Sequence, residues 1–444
     1  MAKAMRHQDI LTQYCVILTA YFGCGIRRSR CSAAFGAEDN ISKNNETISK
    51  PATAAPMIMS SLISPVALSS ACLMPPVGCI PDAKVFHLIG PVTGNTNRTR
   101  RLDQRRYTNP MFPRNQWYVA AFAWELTDAP LARTLLNQPI VLFRANGRAA
   151  ALADRCCHRH APLSCGTVED TGLRCGYHGL LFSPEGRCIE IPGQANIPKT
   201  ACVRAYAVEE RNHIVWIWMG DAQPTHPAPE HPWHDDPAYA FKGDVYPYKA
   251  PYQLVHDNLL DLSHLGYVHT KTIGGNAKIH VNAEMQVTNG PDWVKVVRHM
   301  PDSEPPPTYL AAWPFAGRID RWQEIEFKLS HFLIWTGGMD AGSGDLNDPQ
   351  REGFHMRGFH GITPETETTC LYFWTISTNR NPARPDMVDT VHQASAFTFN
   401  EDRAIIEAQH ANIARFGEAP MVGILVDAAP NRARKIVERL AKEE

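Results

Sequence analysis

Residues 156–179 read CCHRHAPLSCGTVEDTGLRCGYHG. The segment holds four cysteines and three histidines. Its internal order is Cys156-x-His158, sixteen residues, then Cys175-x-x-His178. Gly166, Gly172, Gly176 and Gly179 punctuate it, so each Cys/His pair is expected at the tip of a β-hairpin. Two facing loops would then each offer one thiolate and one imidazole.

Three chemistries compete for that donor set. A secreted disulfide framework spreads cysteine pairs over its domains, whereas four of the twelve cysteines crowd together here. Zinc fingers favour a Cys-Cys pair followed by a His-His pair, not two mixed pairs that each begin with Cys. The order suits a Rieske [2Fe-2S] cluster. Its cysteines hold one iron and its histidines the other, and neutral imidazoles raise the reduction potential. Cys157 and Cys165 read as bystanders and His160 as a loop side chain. Arg159 reads as a loop-positioning or charge-stabilising residue.

Outward from this segment the chain reads as short strands from Trp117 to Asp221. PIVLFRANGRAAALAD turns at Asn146–Gly147, a hairpin signal. LLFSPEGRCIEI turns around Pro184–Gly186, and HIVWIWMGD is a buried strand. Residues 107–222 are therefore expected to form an all-β domain. A proline-rich connector, Gln223–Pro237, follows. YQLVHDNLLDLSHLGYVHT (residues 252–270) is strongly helical in pattern. Residues 279–340 and 354–380 alternate apolar and polar, as strands of one antiparallel sheet. Asn400 reads as the cap of the helix EDRAIIEAQHANIARF, and NRARKIVERLAKEE is a second helix. The fold class is α+β, with residues 223–444 as a second, α+β domain.

That second domain carries a possible second metal site. Asn258, Asp261 and His264 are spaced to share one helical face. His269 follows His264 by five residues, about 140° apart on a regular helix. Both reach one metal only if the helix widens or ends near Gly266. Two histidines and a carboxylate with open positions form the facial triad of non-haem Fe(II) oxygenases. Asp261 is the near candidate for the carboxylate and Asp402, beside Glu401, the distant one. The spacing leaves both open. A chain with the cluster alone is an electron carrier, and iron content separates the readings: three irons per chain against two.

Bulk composition narrows the partners. The 444 residues carry a net charge of −1, with 44% hydrophobic and 20% charged residues. Bulk charge thus argues for neither nucleic acid nor an anionic membrane. Residues 1–106 carry thirteen Lys/Arg against six Asp/Glu, or +7, which leaves −8 for the remainder (−1 − 7). This head lacks sustained periodicity and is expected to be a poorly structured extension. Met111 is a candidate true start, and a nucleic-acid role for the basic head is set aside. Its apolar run, Ile10–Ile26, is interrupted by Thr, Gln and Tyr and falls short of a spanning helix. Cysteines clustered beside histidines point to a reducing, cytoplasmic setting.

MFPRNQWYVAAFAWEL, DRCCHRHAPLSCG, LRCGYHGLLFSPEGRC, AVEERNHIVWIWMGD, HDNLLDLSHLGYVHT, GITPETETTCLYFW and FNEDRAIIEAQ together resemble the Rieske non-haem iron aromatic-ring oxygenases. Within them the chain resembles the oxygenase component of vanillate O-demethylase, with dicamba monooxygenase a close relative. The resemblance runs from Met111 to near the C-terminus and leaves residues 1–106 unmatched.

It implies a helix-grip second domain, a large antiparallel sheet flanked by helices. It implies that Cys156, His158, Cys175 and His178 hold the cluster, and that His264, His269 and Asp402 hold a mononuclear Fe(II). Asp261 matches the acid that bridges a cluster histidine of one subunit to the iron histidine of the next, in a head-to-tail homotrimer. Asn258 matches a residue beside the iron. His360 matches a histidine that contacts the substrate carboxylate in the dicamba type, and Trp335 and His392 fall at varying pocket positions. The implied cosubstrate is O2. Electrons would come from NAD(P)H through a separate reductase or ferredoxin. Two features depart from the family's pattern. Cys157 stands where Pro is usual, which suggests a looser loop and an oxidisable thiol, and the pocket copies no single relative. The expected reaction is O-demethylation of a methoxylated aromatic acid such as vanillate to protocatechuate and formaldehyde. A chlorinated, sulfonated or N-methyl aromatic substrate is the alternative.

Overall fold

The structure is a computed structural model that describes residues 112–443. The expected extension (1–106) and the candidate start Met111 lie outside the described residues.

Eleven short strands come first: β1 (Gln116–Phe122), β2 (Leu131–Leu135), β3 (Gln138–Ala145), β4 (Arg148–Ala153), β5 (Thr167–Glu169), β6 (Gly172–Arg174), β7 (Leu181–Phe182), β8 (Cys188–Glu190), β9 (Ala205–Tyr206), β10 (Val208–Arg211) and β11 (Ile214–Met219). They form three sheets, ordered β1-β11-β10, β2-β3-β4-β9 and β5-β6-β7-β8. The Asn146–Gly147 turn between β3 and β4 is as expected. Both residues have positive φ, +48° and +74°, the conformation a two-residue hairpin loop demands. All six residues of β11 are buried, which is why IVWIWM has no polar alternation.

Seven strands follow: β12 (Tyr239–Tyr248), β13 (Glu284–Asn289), β14 (Trp293–Ser303), β15 (Ile319–Lys328), β16 (His331–Asp340), β17 (Phe354–Thr366) and β18 (Thr369–Asn379). They make one antiparallel sheet ordered β12-β18-β17-β16-β15-β14-β13. The helices are α1 (Tyr252–Leu260), α2 (Leu265–Val268), α3 (Ala277–Asn282), α4 (Pro307–Ala312), α5 (Met387–Phe416) and α6 (Ala428–Leu440). Helices α1, α5 and α6 share a core with the sheet. Among the described residues no helix is long and apolar enough to cross a membrane.

Three apolar cores result. One lies around the cluster loops and includes Leu163, Leu173 and Phe182. A second lies between the large sheet and its helices. The third joins β1 and β11 to Phe359, Leu371 and Phe373 of the large sheet. It therefore crosses the expected division at residue 222. Trp216 is fully buried in it, and burying an indole stabilises by roughly 4–6 kcal/mol as an upper figure. The Thr363 hydroxyl also donates to the Val119 carbonyl across that core, at 2.7 Å.

Four local expectations are corrected. The helix over 252–270 is broken: α1 ends at Leu260, Asp261 is extended (φ −102°, ψ 101°), and α2 is a separate short turn. Asn258, Asp261 and His264 therefore do not share one helical face. Asn400 caps nothing. It lies inside α5, where its amide donates to the Ala396 carbonyl at 2.7 Å. The preceding Val, Thr and Phe residues had masked a helix that packing stabilises. Helices α3 and α4 fall partly or wholly within the region read only as strands of one sheet. Last, only the Cys175 loop is a hairpin tip, between paired β6 and β7. The Cys156 loop connects β4 to β5, which belong to different sheets.

Candidate functional site

The cluster loops have the same local build. In the first, the Cys156 carbonyl accepts from the His160 N–H (3.0 Å), and the Cys156 N–H donates to the Ala161 carbonyl (2.9 Å). In the second, the Cys175 carbonyl accepts from the Gly179 N–H (3.0 Å), and the Cys175 N–H donates to Leu180 (2.8 Å). The fifth residue of each loop has positive φ: His160 at +59° and Gly179 at +73°. His160 is thus a backbone counterpart of Gly179, held by a 3.1 Å contact with Arg155. Each loop is also tied at its base. Asp154 accepts from the Ser164 N–H and hydroxyl (2.7 and 2.6 Å). Arg174 bonds the Gly179 carbonyl at 2.7 Å and ion-pairs with Glu169 and Glu190. The loops approach so closely that a side chain on Gly176 would meet the Cys165 carbonyl at 2.5 Å.

These loops bring all four predicted ligands together. Cys156 and Cys175 are buried (2% exposed each) and their thiols hydrogen-bond. His158 and His178 lie outside, exposed, with ring centroids 4.5 Å apart. Burial pushes the Cys156 thiol up to about 11, so this sulfur ionises readily only against a cation. Two buried sulfur donors beneath two exposed ring nitrogens fit a cluster with one cysteine-bound and one histidine-bound iron. Cys157 takes the place of Gly176 in the first loop and packs, half-buried, on the cluster core. Burial raises its thiol as well. A raised pKa opposes the thiolate form through which such a residue is oxidised.

The second site is assembled from distant chain. His264 and His269 bracket α2 as its flanking residues, which is how a spacing unsuited to one helix face converges. Gly266 lets α2 lie against α3, where a side chain would meet the Ala277 Cα at 2.4 Å. Asp402 arrives from the middle of α5, not its opening turn. Ligating atoms of His264, His269 and Asp402 all lie within 4.8 Å of one another. The Asp402 Oδ1 stands 3.0 Å from His269 Nε2 and 3.4 Å from His264 Nε2. Asn258 donates to the same oxygen at 3.0 Å.

The other ring nitrogen of each histidine is occupied. His269 Nδ1 donates to Glu401 Oε2 at 2.9 Å, and His264 Nδ1 to the Asp261 backbone carbonyl. Each Nε2 is thereby turned toward Asp402 and would offer its lone pair to a metal bound there. Burial alone would raise the Asp402 carboxyl. Bonds from His264 and His269 overcome it and hold the group well below the usual carboxylate range. Burial likewise opposes charge on His269, but Asp402 and Glu401 prevail and raise its pKa. The centre is built to hold positive charge, and its N2O donors fit a facial Fe(II) triad. Sequence reasoning placed Glu401 only as a neighbour of Asp402. Its adjacency to a ligand on a helix was the available signal. The Asp261 carboxylate accepts from the Ser263 N–H at 2.8 Å, and only its backbone touches His264.

A cavity of about 690 Å³, counting its open mouth, lies over this centre. Its floor is one face of the sheet, including Ile325, Ile334, Gly358 and Ile376, and its roof comes from α1, α2, α4 and α5. His360 lines it as expected. It is fully buried, its Nδ1 meets the Tyr372 hydroxyl at 2.7 Å, and burial lowers its pKa to about 3. Trp335 and His392 do not line it. Trp335 lies between Arg351 and Arg357 (3.8 and 3.7 Å), and His392 stacks on Trp374.

Comparison with known proteins gives the following. The Rieske [2Fe-2S] domain family matches residues 116–206. The vanillate O-demethylase oxygenase C-terminal domain family matches residues 248–443. The iron-sulfur subunit of a toluene-4-sulfonate monooxygenase system of Comamonas testosteroni is 38% identical over 75% of this chain and 98% of its own. A vanillate O-demethylase oxygenase subunit of a Pseudomonas species is 36% identical over 75% of this chain and 96% of its own. A crystal structure of dicamba monooxygenase bound to dicamba matches with a TM-score of 0.68 at 33% identity, over 75% of this chain and 98% of that one.

Proposed function

The chain belongs to the Rieske non-haem iron oxygenases of the vanillate O-demethylase type, and from this premise we propose that it demethylates a methoxylated aromatic acid, vanillate first among candidates. The observation that carries the reading is the convergence of His264, His269 and Asp402 on one point, each histidine's Nδ1 already occupied, beneath an apolar cavity. In this reading residues 107–222 hold the cluster and residues 223–444 the iron.

When bound, the cluster supplies electrons singly and the mononuclear iron supplies O2 activation for insertion into a C–H bond. The protein's own residues do the rest. Cys156 and Cys175 would hold the cluster from the buried side, and His158 and His178 from the exposed side. Glu401 and the Asp261 carbonyl keep protons on the outer nitrogens of His269 and His264, so both rings remain ligands. Asn258 holds Asp402 in place. Asp261 bridges a cluster histidine of one subunit to His264 of the next in a head-to-tail trimer, and its position beside Ser263 at a partly exposed bend supports this. The apolar floor orients the ring and limits water. The methoxy carbon becomes a hydroxymethyl ether, a hemiacetal, which collapses to phenol and formaldehyde. Overall, aryl methyl ether, O2, NADH and a proton give phenol, formaldehyde, water and NAD+. The hydride equivalents come through a separate reductase.

A panel of methoxybenzoates with O2, NADH and a reductase tests this, with formaldehyde as the readout. Stoichiometric release from one member is expected. NADH consumption without formaldehyde for every member would refute demethylation. The 38% identity to a toluene-4-sulfonate monooxygenase subunit favours a second reading, monooxygenation of a sulfonated toluene, which would appear as an oxygenated ring product retaining its carbon count.

A further inference from the structure

One wall of the cavity carries a charge that no acidic group among the described residues neutralises. Arg321 is 1% exposed and lines the cavity. Alternate residues of a strand share a face, so Arg321, Gln323 and Ile325 of β15 all look into it. The Arg321 Nη2 donates to the Ile273 carbonyl at 2.8 Å. Its Nε is buried without a partner. The Tyr309 ring lies 5.0 Å from its Cζ. Among the described residues no carboxylate pairs with it.

Its surroundings sharpen the imbalance. Arg298 is also buried, at 4% exposed. Burial and the charge of Arg321 push its guanidinium down to about 10, against the pull of Asp261. Arg298 spends its donors on the Leu262 and His280 carbonyls and on Gln323 Oε1. With that oxygen taken, the amide group Gln323 has left is a donor. The wall thus offers a guanidinium and an amide N–H and no acid. A buried guanidinium lacking a counter-ion is costly, and planar guanidinium matches a carboxylate or sulfonate.

We propose that Arg321 is the anion receptor of this pocket, the side chain that recognises the acid group of the aromatic substrate. This rests on the oxygenase reading above and names the residue that would select its substrate. Position supports it. Ile273, which holds Arg321, follows His269 by four residues, and the Gly274 N–H bonds the His269 carbonyl at 2.9 Å. Ile325 and Ile334 line the same cavity as Arg321 and the triad, and offer an apolar surface to a ring anchored at Arg321. His360, expected from family resemblance to meet the acid group, is poorly suited: its environment keeps it neutral. Its backbone lies level with Phe327 through Phe332. That is six residues along β15 from Arg321, about 20 Å at the usual strand rise.

Equilibrium binding to the metal-loaded protein, without reductase, tests this. Titrants are 4-methoxybenzoate, its neutral amide 4-methoxybenzamide, and 4-methoxybenzenesulfonate. At least one anion is expected to bind about tenfold or more tightly than the amide. Arg321→Gln should erase that preference without weakening the amide, and Arg321→Lys should keep part of it. Comparing the two anions identifies the favoured acid group. Equal binding of amide and both anions to the wild-type protein would overturn the proposal, whether or not the variants fold. So would an Arg321→Gln protein with an intact cluster spectrum that still prefers the anion. Anion-selective binding without formaldehyde release leaves the receptor standing and removes the demethylation reading.

Discussion

The two candidate metal sites differ in how much chain each requires. The four cluster donors come from one segment, Cys156 to His178, folded as two loops of like build. Each loop closes with the same pair of backbone bonds around its cysteine. The iron donors come from His264, His269 and Asp402, and the carboxylate belongs to a helix 133 residues beyond His269. The first site needs local turns and one small core to form. The second needs the sheet, α1 and α5 all in place. Local construction makes the cluster site easy to read and hard to disturb from afar, and distributed construction makes the iron site the reverse.

The largest expected effect separates the two outright. His269→Ala should lower iron from three to two per chain, keep the visible cluster absorption, and reduce turnover more than about a thousandfold, the scale of losing a reaction's central group. Metal analysis beside an absorption spectrum checks it. Retained turnover would mean the triad is misassigned.

Asp261→Asn probes the proposed link between the sites. Both metals should remain while coupled turnover falls on the order of a hundredfold, as when a reacting group is misplaced. Full activity would remove the bridging role. Next, Glu401→Gln should weaken iron binding by about 10–100-fold, since the partner of a ligating histidine sets its tautomer and basicity. Chelator competition measures this, and an unchanged affinity would reduce the Glu401 contact to packing.

Acid should strain the iron-bearing half through its buried neutral histidines. His256 is packed against Tyr252, Phe327 and Phe332, and burial lowers its pKa to about 3. Unfolded, it takes a proton near pH ~6.5. Between that value and about 3 the unfolded state binds the extra proton, so stability falls as pH falls. The contribution is about 1.4 kcal/mol per pH unit. Urea unfolding of His256→Phe between pH 6 and 4.5 should show a slope shallower by about that amount. Equal slopes would contradict it.

The smallest effects test the likeness of the cluster loops. Gly179→Ala places a Cβ at φ +73° and 2.9 Å from Pro192 Cγ, and should cost about 1–2 kcal/mol. His160→Gly relieves the matching position while losing the Arg155 contact, and should change stability by less than about 1 kcal/mol. Thermal unfolding followed at the cluster band distinguishes them. A larger loss for His160→Gly would show that its side chain, not its backbone, matters.

Legibility followed the same division. A continuous apolar run exposed β11, the Asn146–Gly147 turn exposed the β3–β4 hairpin, and alternation exposed most of the large sheet, because it records which side of a strand is buried. Such patterns failed where neighbours override local preference. Asn400 resembled a cap because nothing nearby shows that α5 already runs from Met387. The break at Asp261 was hidden inside a continuous helical pattern. Glu401 and Arg321 could not be read as functional, since a glutamate in a helix and an arginine in a strand are ordinary. Only their partners, or the lack of one, distinguish them.

By itself, the sequence determined the candidate cluster donors, the α+β order of strands and helices, and a pair of histidines awaiting a carboxylate. Donors close in sequence are held by turns whose signals are their own glycines and spacing. The tertiary structure alone decided that His264 and His269 flank a short helix, that Asp402 and Glu401 reach them, and that Arg321 faces the cavity without a counter-charge among the described residues. Those facts depend on which surfaces meet when apolar area is buried, and burial belongs to the whole fold rather than to any segment.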